Sequence, residues 1–174
     1  MSDKKTVSIP QPSLQRTIVL GVLLVAFDAL VLNQGAFALL VGLWLLFVGL
    51  PRTFLAKKYA SVRPQRLRNI AIYFTAVILV FALNAANNRV ALARAENLIA
   101  AVKTFHFKNQ RYPGSLEELV PDFVDQVPLA KYTFGFNQFW NTTSDISTSL
   151  FYIKFPPFER PTYSFTRNAW EYLD

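Results

Sequence analysis

The sequence predicts a membrane α-helical domain with three transmembrane helices, followed by a small α+β domain in which a long amphipathic helix packs on an antiparallel sheet. The 174 residues are 52% hydrophobic and only 17% charged, which is more apolar than an ordinary soluble domain. Long apolar runs occupy the first half, and short segments rich in aromatic residues occupy the last third. We therefore expect a membrane domain at residues 1–87 and an extracytoplasmic domain at residues 88–174.

The first apolar run, residues 17–50, is too long to cross a bilayer once. As one helix it would measure about 51 Å, against a hydrocarbon core of ~30 Å. The run contains one cluster of turn-forming residues, Asn33, Gln34 and Gly35. We expect a hairpin with spans at about 14–32 and 36–53. Ala36-Phe37-Ala38 also matches a signal-peptidase site, but the second apolar run directly after it favours a retained hairpin.

The third predicted span, residues 69–87, follows a basic cytoplasmic loop at residues 54–68. Nine basic residues precede residue 70 against two acids, and the turn at residues 33–35 contains no lysine or arginine. The positive-inside rule then places the N-terminus in the cytoplasm and residues 88–174 outside. The later half is formally neutral, with nine basic and nine acidic residues. Because the excess charge flanks apolar runs, we expect no nucleic-acid partner.

The third span is expected to continue as an amphipathic helix beyond residue 88. Its apolar residues recur at steps of three and four, which places them on one face: Ala91, Ala95, Leu98, Val102 and Phe105. Such a face needs a partner, and we expect a sheet. After the helix, Ser115 and Glu118 fit a capping box that starts a short helix ending at Pro121.

The last third predicts three or four antiparallel strands. Tyr132, Phe134 and Phe136 alternate with smaller or polar residues, which is typical of a strand. Further strands are expected at residues 150–155, closed by Pro156 and Pro157, and at residues 162–166 and 169–173. Arg167 and Asn168 would join the last two strands.

Candidate functional residues are few, and no catalytic constellation, metal site or cofactor site is predicted. Asp28 is the one acid inside a span, so it is either a proton-handling group or a polar contact near the interface, with Asn84 or Asn87 as possible partners. The single histidine, His106, has no predicted co-ligands. Large aromatic residues are the other candidates, as contacts for partner proteins or as core and membrane-belt residues: Trp44, Tyr112, Trp140 and Trp170.

Residues 110–121, QRYPGSLEELVP, and the later pair Val127-Pro128 follow a span that runs into an amphipathic helix. This pattern resembles the helix-to-sheet junction of type II secretion pseudopilins and related type IV pilin-like proteins. The chain also resembles bacterial inner-membrane proteins that end in a similar aromatic hairpin. Pilin-like subunits carry a glutamate near the start of their span, whereas this span starts Arg68-Asn69-Ile70 and follows a hairpin. The resemblance therefore implies the shape of a pilin-like outer domain and not a polymerising role.

Together these features predict a non-enzymatic accessory or scaffold subunit of a larger bacterial inner-membrane complex with a periplasmic C-terminal domain. Its partners would be other membrane-protein subunits and the lipid bilayer. One alternative is a component of a secretion or type IV pilus system that contacts pseudopilins. A second alternative is a small transporter or proton-handling protein that uses Asp28.

Overall fold

The computed structural model describes residues 12–143, 147–155 and 159–173. Lys4, Lys5, Pro156 and Pro157, which entered the sequence predictions, lie outside these ranges. The chain divides into two compact units. The helical unit contains the residues up to Ala29 together with Gly35–Ala82, and the sheet unit contains Leu30–Gln34 together with the residues from Leu83 onward.

Within the described residues, three helices are long and apolar enough to cross a membrane, at Leu14–Leu32, Ala36–Leu55 and Lys57–Asn109. The predicted number of apolar helices is thus confirmed. The first and second helices each contain a π-helical segment, and a 3-10 turn leads into the third. In chain order the segments are α1 (Leu14–Val25), a π-helix (Ala26–Leu32), α2 (Ala36–Trp44), a π-helix (Leu45–Gly49), α3 (Leu50–Leu55), a 3-10 helix (Lys57–Val62) and α4 (Arg63–Asn109).

The chain reverses at the predicted polar cluster. Asn33 and Gly35 both have positive φ, 52° and 74°, so two residues in the left-handed region separate the first two helices. The basic segment 54–68, in contrast, is not a loop throughout. The second helix extends to Leu55, and α4 already begins at Arg63 with Pro64 in its first turn, where proline fits a helix. The connection is therefore much shorter than predicted.

Small residues line the packed faces of the helical unit. Thr17 and Gly21 are buried on α1, and Ala38 and Gly42 are buried on α2, each pair four residues apart and so on one helix face. A Cβ placed on Gly42 would lie 3.5 Å from a methyl group of Val77 in α4, and one on Gly21 would lie 3.6 Å from Ile72. Small side chains thus allow close approach of the helices, as is common in membrane-protein interfaces.

In the sheet unit, the later part of α4 supplies the core. All five residues of the predicted apolar face are at most 5% exposed: Ala91, Ala95, Leu98, Val102 and Phe105. They pack with buried residues from the 3-10 turn Leu116–Leu119 and from the strands, among them Leu150 and Tyr163. The predicted packing of a long helix on a sheet is confirmed within this unit.

The sheet has four antiparallel strands in the order β1-β2-β3-β4, so each strand pairs with its neighbour in the chain. Aromatic and β-branched residues face each other across the strands, for example Trp140 opposite Phe151 and Tyr163 opposite Trp170. Asn168, at φ 52°, closes the turn before the last strand. The strands are β1 (Phe139–Thr143), β2 (Thr148–Tyr152), β3 (Arg160–Ser164) and β4 (Ala169–Leu173).

The number of strands agrees with the prediction, but one location is wrong. Residues 132–136 form a bend and not a strand. Ala130 donates a hydrogen bond to the Asn137 carbonyl (2.6 Å), Phe136 has φ 52°, and Thr133 bonds the Gly135 carbonyl (2.7 Å). These local bonds replace a strand ladder. The strand is instead β1, a few residues later. The second and third strands begin two residues earlier than predicted, and β4 has the predicted bounds.

The predicted capping box is also wrong in its details. The side chain of Ser115 caps no helix amide, and the helix is a single 3-10 turn. Glu118 does reach back, but it accepts a hydrogen bond from the Gly114 amide (2.8 Å) and pairs with Arg111 (2.7 Å). One turn of 3-10 helix is too short to require the reciprocal cap of an α-helix.

Candidate functional site

The first candidate residue, Asp28, is completely buried in the helical unit. Its Oδ1 accepts a hydrogen bond from the Gly35 amide (2.9 Å), and its Oδ2 accepts one from the Ala38 amide (2.7 Å). Both amides belong to the start of α2, where helix N–H groups have no partner inside the helix. The sequence suggested an interface position or a partner such as Asn84, whereas the partners in the structure are backbone amides.

This geometry describes a helix cap supplied from the preceding helix. A carboxylate only accepts hydrogen bonds, and both oxygens of Asp28 are used in this way. Negative charge at a helix N-terminus is favourable, and hydrogen bonds to an ionised group are stronger than neutral ones. Asp28 therefore joins the two arms of the hairpin, and this role differs from that of a proton relay.

The second candidate, Trp44, is 55% exposed at the end of α2. It lines an apolar groove of about 670 Å³ on the helical unit. Phe27 and Phe37 meet edge to face in this groove, with ring centroids 5.9 Å apart. We call it the Trp44 groove, and its lining residues include Leu20, Leu23, Phe27, Phe37, Val41 and Trp44, with Tyr73 from α4.

The three aromatic candidates of the sheet unit are half-buried and pack within that unit. Tyr112 stacks on His106 with ring centroids 4.0 Å apart. Trp170 meets Tyr163 edge to face at 5.5 Å, and Trp140 stacks on Phe151 at 5.6 Å. Trp140 and Trp170 also line pockets of the sheet unit, of about 400 and 370 Å³. Trp44 differs from them because it is more exposed and lines the larger, mainly apolar groove of the helical unit.

Lys131 is a buried charged residue that the sequence reasoning missed. Its side chain is completely buried, and Nζ donates a hydrogen bond to the Lys154 carbonyl (2.6 Å). Burial lowers the pKa of Lys131 from 10.5 to about 8, an effect that Glu159 opposes and Lys154 reinforces. The sequence signal beside it was the alternation of Tyr132, Phe134 and Phe136 with smaller or polar residues, which predicts a strand and does not single out Lys131.

His106, the single histidine, lies on α4 in the sheet unit. It stacks on Tyr112, and within residues 12–143, 147–155 and 159–173 no three His, Asp or Glu side chains gather in a way that could hold a metal ion. Of the residues predicted from the sequence, Asp28 thus forms a buried hairpin cap and Trp44 lines an apolar groove.

We predict that Asp28→Ala lowers the melting temperature of the purified protein in detergent. The change leaves two buried amides without acceptors, at a cost of about 1–3 kcal/mol each. Asp28→Asn should lie between the wild type and the alanine variant, because its one carbonyl oxygen can serve one amide. Thr75→Ala is the control, since that exposed hydroxyl bonds only a carbonyl of its own helix. Equal melting temperatures for the Asp28→Ala and Thr75→Ala variants would contradict a capping role.

We also predict that the free energy of unfolding rises as the pH increases from about 8 to 10.5. Below pH 8 Lys131 is protonated in both states, so the folded state carries the full cost of a buried charge, about 3 kcal/mol for this change in pKa. Above pH 8 the folded state releases the proton first, which removes the cost. Urea denaturation across this range should show the rise in the wild type and in Lys108→Met, an exposed control, but not in Lys131→Met. A rise that persists in Lys131→Met would contradict the assignment.

A comparison of the chain with models of protein families, with curated proteins and with solved structures finds no match in any of the three. The likeness to pilin-like proteins therefore rests on the residue pattern of the chain itself, a span that runs into an amphipathic helix followed by the motif at residues 110–128. Function has to be inferred from the contacts of the chain itself, and above all from the hairpin and the groove beside it.

Proposed function

We propose that the protein is a non-enzymatic accessory or scaffold subunit of a larger bacterial inner-membrane complex. In this proposal the three apolar helices cross the membrane, the N-terminus is cytoplasmic and the sheet unit is periplasmic. The observation that carries the proposal is the Trp44 groove. Its apolar and aromatic lining suits a helix of a partner subunit.

On a membrane-spanning helix, a groove indicates a protein contact, whereas exposed apolar side chains alone do not. Single apolar residues on a transmembrane helix face lipid at no cost, so the exposure of Leu39 or Ile78 needs no explanation. Association of helices in a bilayer depends on close packing, which a concave surface provides. Tryptophan is also enriched among the residues that dominate protein contacts. The groove combines both features on helices of spanning length.

The capped hairpin supports a scaffolding role, since Asp28 holds the start of α2 in place. At the basic connection, Arg63 donates a hydrogen bond to the Thr53 carbonyl (3.3 Å) and Arg66 donates one to the Thr53 hydroxyl (3.2 Å). Arg66 also lies 4.0 Å from the centroid of the Tyr59 ring. Both arginines thus lie at the connection between the second and third helices, as the positive-inside rule expects of a cytoplasmic end.

A second candidate, contact with pseudopilins in a secretion or pilus system, is favoured by one observation. A long helix packs on a four-stranded antiparallel sheet in chain order, which agrees with the pilin-like shape implied by residues 110–128. In that case the sheet unit would supply the partner surface. The identity of crosslinked partners distinguishes this candidate from a general scaffold.

We predict that a photoreactive phenylalanine analogue at position 44 crosslinks to a discrete protein partner in native membranes. The expected product is a band of higher mass that contains a second membrane protein, because the probe would lie in the groove. The matched control carries the analogue at Ile78, an exposed residue of α4 in the same unit (64% exposed), and should give only lipid adducts. If position 44 gives only monomer or lipid adducts, the subunit proposal is wrong, and identification of a pseudopilin would select the second candidate.

We further predict opposite sidedness for residues 58 and 107. The chain contains no cysteine, so Lys58→Cys and Phe107→Cys each introduce a unique thiol. In spheroplasts of an expressing bacterium, a membrane-impermeant maleimide should label residue 107 directly and residue 58 only after permeabilisation. Labelling of residue 58 in intact spheroplasts would show that the proposed orientation is reversed.

A further inference from the structure

The loop formed by residues 129–137 has its polar side inward and its apolar side outward. Phe134 is 82% exposed and Tyr132 is 61% exposed, whereas Lys131 is completely buried and Thr133 is 8% exposed. Leu129 and Phe136 are each 49% exposed. This is the reverse of the pattern expected for a loop surrounded by water, where the aromatic residues would be buried and the lysine would be solvated. We call these residues the aromatic loop.

Specific bonds hold the aromatic loop in this arrangement. Inside it, Lys131 is bonded to the Lys154 carbonyl, and Asn137 donates to the Thr133 carbonyl (2.9 Å). At its edge, Arg94 of α4 donates to the Leu129 carbonyl (2.7 Å) and to the Tyr132 hydroxyl, with the guanidinium 4.4 Å from the centre of the Tyr132 ring. These bonds tie the loop to α4 and to the sheet unit while the side chain of Phe134 stays exposed.

The loop also contacts the ends of two apolar helices. The amide of Phe134 donates a hydrogen bond to the carbonyl of Leu30 (2.9 Å), in the last turn of the first helix. The amide of Tyr132 bonds the side chain of Asn87 (3.3 Å), at the end of the apolar run of α4. A Cβ on Gly135 would lie 3.9 Å from the Val31 carbonyl. The aromatic side chains are thus exposed at the level where both helices end.

We infer that the aromatic loop inserts into the outer interface of the lipid bilayer, with Phe134 among the upper parts of the acyl chains. The inference rests on the proposed membrane insertion of the three helices, because the helix ends then mark the bilayer surface. It adds a second attachment of the periplasmic domain to the membrane besides the covalent link through α4.

The chemistry of the loop fits a lipid surface better than a protein partner. Aromatic residues with one polar end are enriched at the membrane interface, and Tyr132 has its hydroxyl bonded to Arg94. Phe134 is entirely apolar and would lie deepest. The exposed aromatic side chains adjoin the ends of the apolar helices, so lipid that surrounds those helices would also contact the loop.

The test uses the absence of cysteine in the chain. The variants Phe134→Cys, Phe107→Cys and Ile78→Cys are labelled with an environment-sensitive fluorophore and reconstituted as full-length protein in vesicles of phosphatidylethanolamine and phosphatidylglycerol. Phe107 is the matched control, because it is 79% exposed and lies twenty residues beyond Asn87 on α4, about 30 Å along the helix. Ile78 reports the insertion of the helices themselves. Nitroxide groups on the lipid acyl chains serve as quenchers.

The expected result is a blue-shifted, strongly quenched label at residues 134 and 78 and an unquenched, water-like label at residue 107. A water-like spectrum at residue 134 with quenching at residue 78 would overturn the loop inference and leave membrane insertion intact. A blue-shifted but unquenched label at residue 134 would also overturn it, since a protein surface would then cover the loop. An unquenched label at residue 78 would overturn membrane insertion and the loop inference together.

Discussion

The hydrogen bonds of the Asp28 carboxylate are the constraint on which the hairpin depends. A chain that leaves one helix and enters another exposes backbone amides at the start of the second helix, and these have no partner inside that helix. Asp28 satisfies two of them from within the first helix, so the turn needs only Asn33, Gln34 and Gly35. A short turn keeps the first two helices adjacent, and the Trp44 groove is formed by side chains from both. Asp28 thus holds the start of the second helix beside the first, and the groove depends on Asp28 because its lining comes from both helices.

Much of the fold could be predicted from the sequence, because two of its signals are strong. Apolar length and the Asn33-Gln34-Gly35 cluster predict the helices and the reversal between them, and the steps of three and four from Ala91 to Phe105 predict the buried face of α4. The short connection before Arg63 was missed because basic residues are good helix formers as well as loop residues. Strand positions were less accurate, since aromatic and β-branched residues fill the whole last third.

The candidate sites were harder to predict, and the reasons are physical. The partners of Asp28 are backbone amides, which no side-chain pattern reveals. Alternation at residues 132–137 was recognised, but period two specifies only that neighbouring side chains point in opposite directions. It does not specify which direction is inward, and in this loop the buried set contains Lys131 and Thr133. The difference between Trp44 and the half-buried Trp140 and Trp170 likewise depends on tertiary packing.

The order β1-β2-β3-β4 has a consequence for how the periplasmic domain of the proposed topology would be made. Among the described residues, each strand pairs with the strand before or after it in the chain, so these pairings are local in sequence. Local pairing forms quickly because little chain entropy is lost in closing each loop. In the proposed topology, each hairpin of the sheet can therefore form as soon as its two strands have crossed the membrane. It does not need a distant part of the chain.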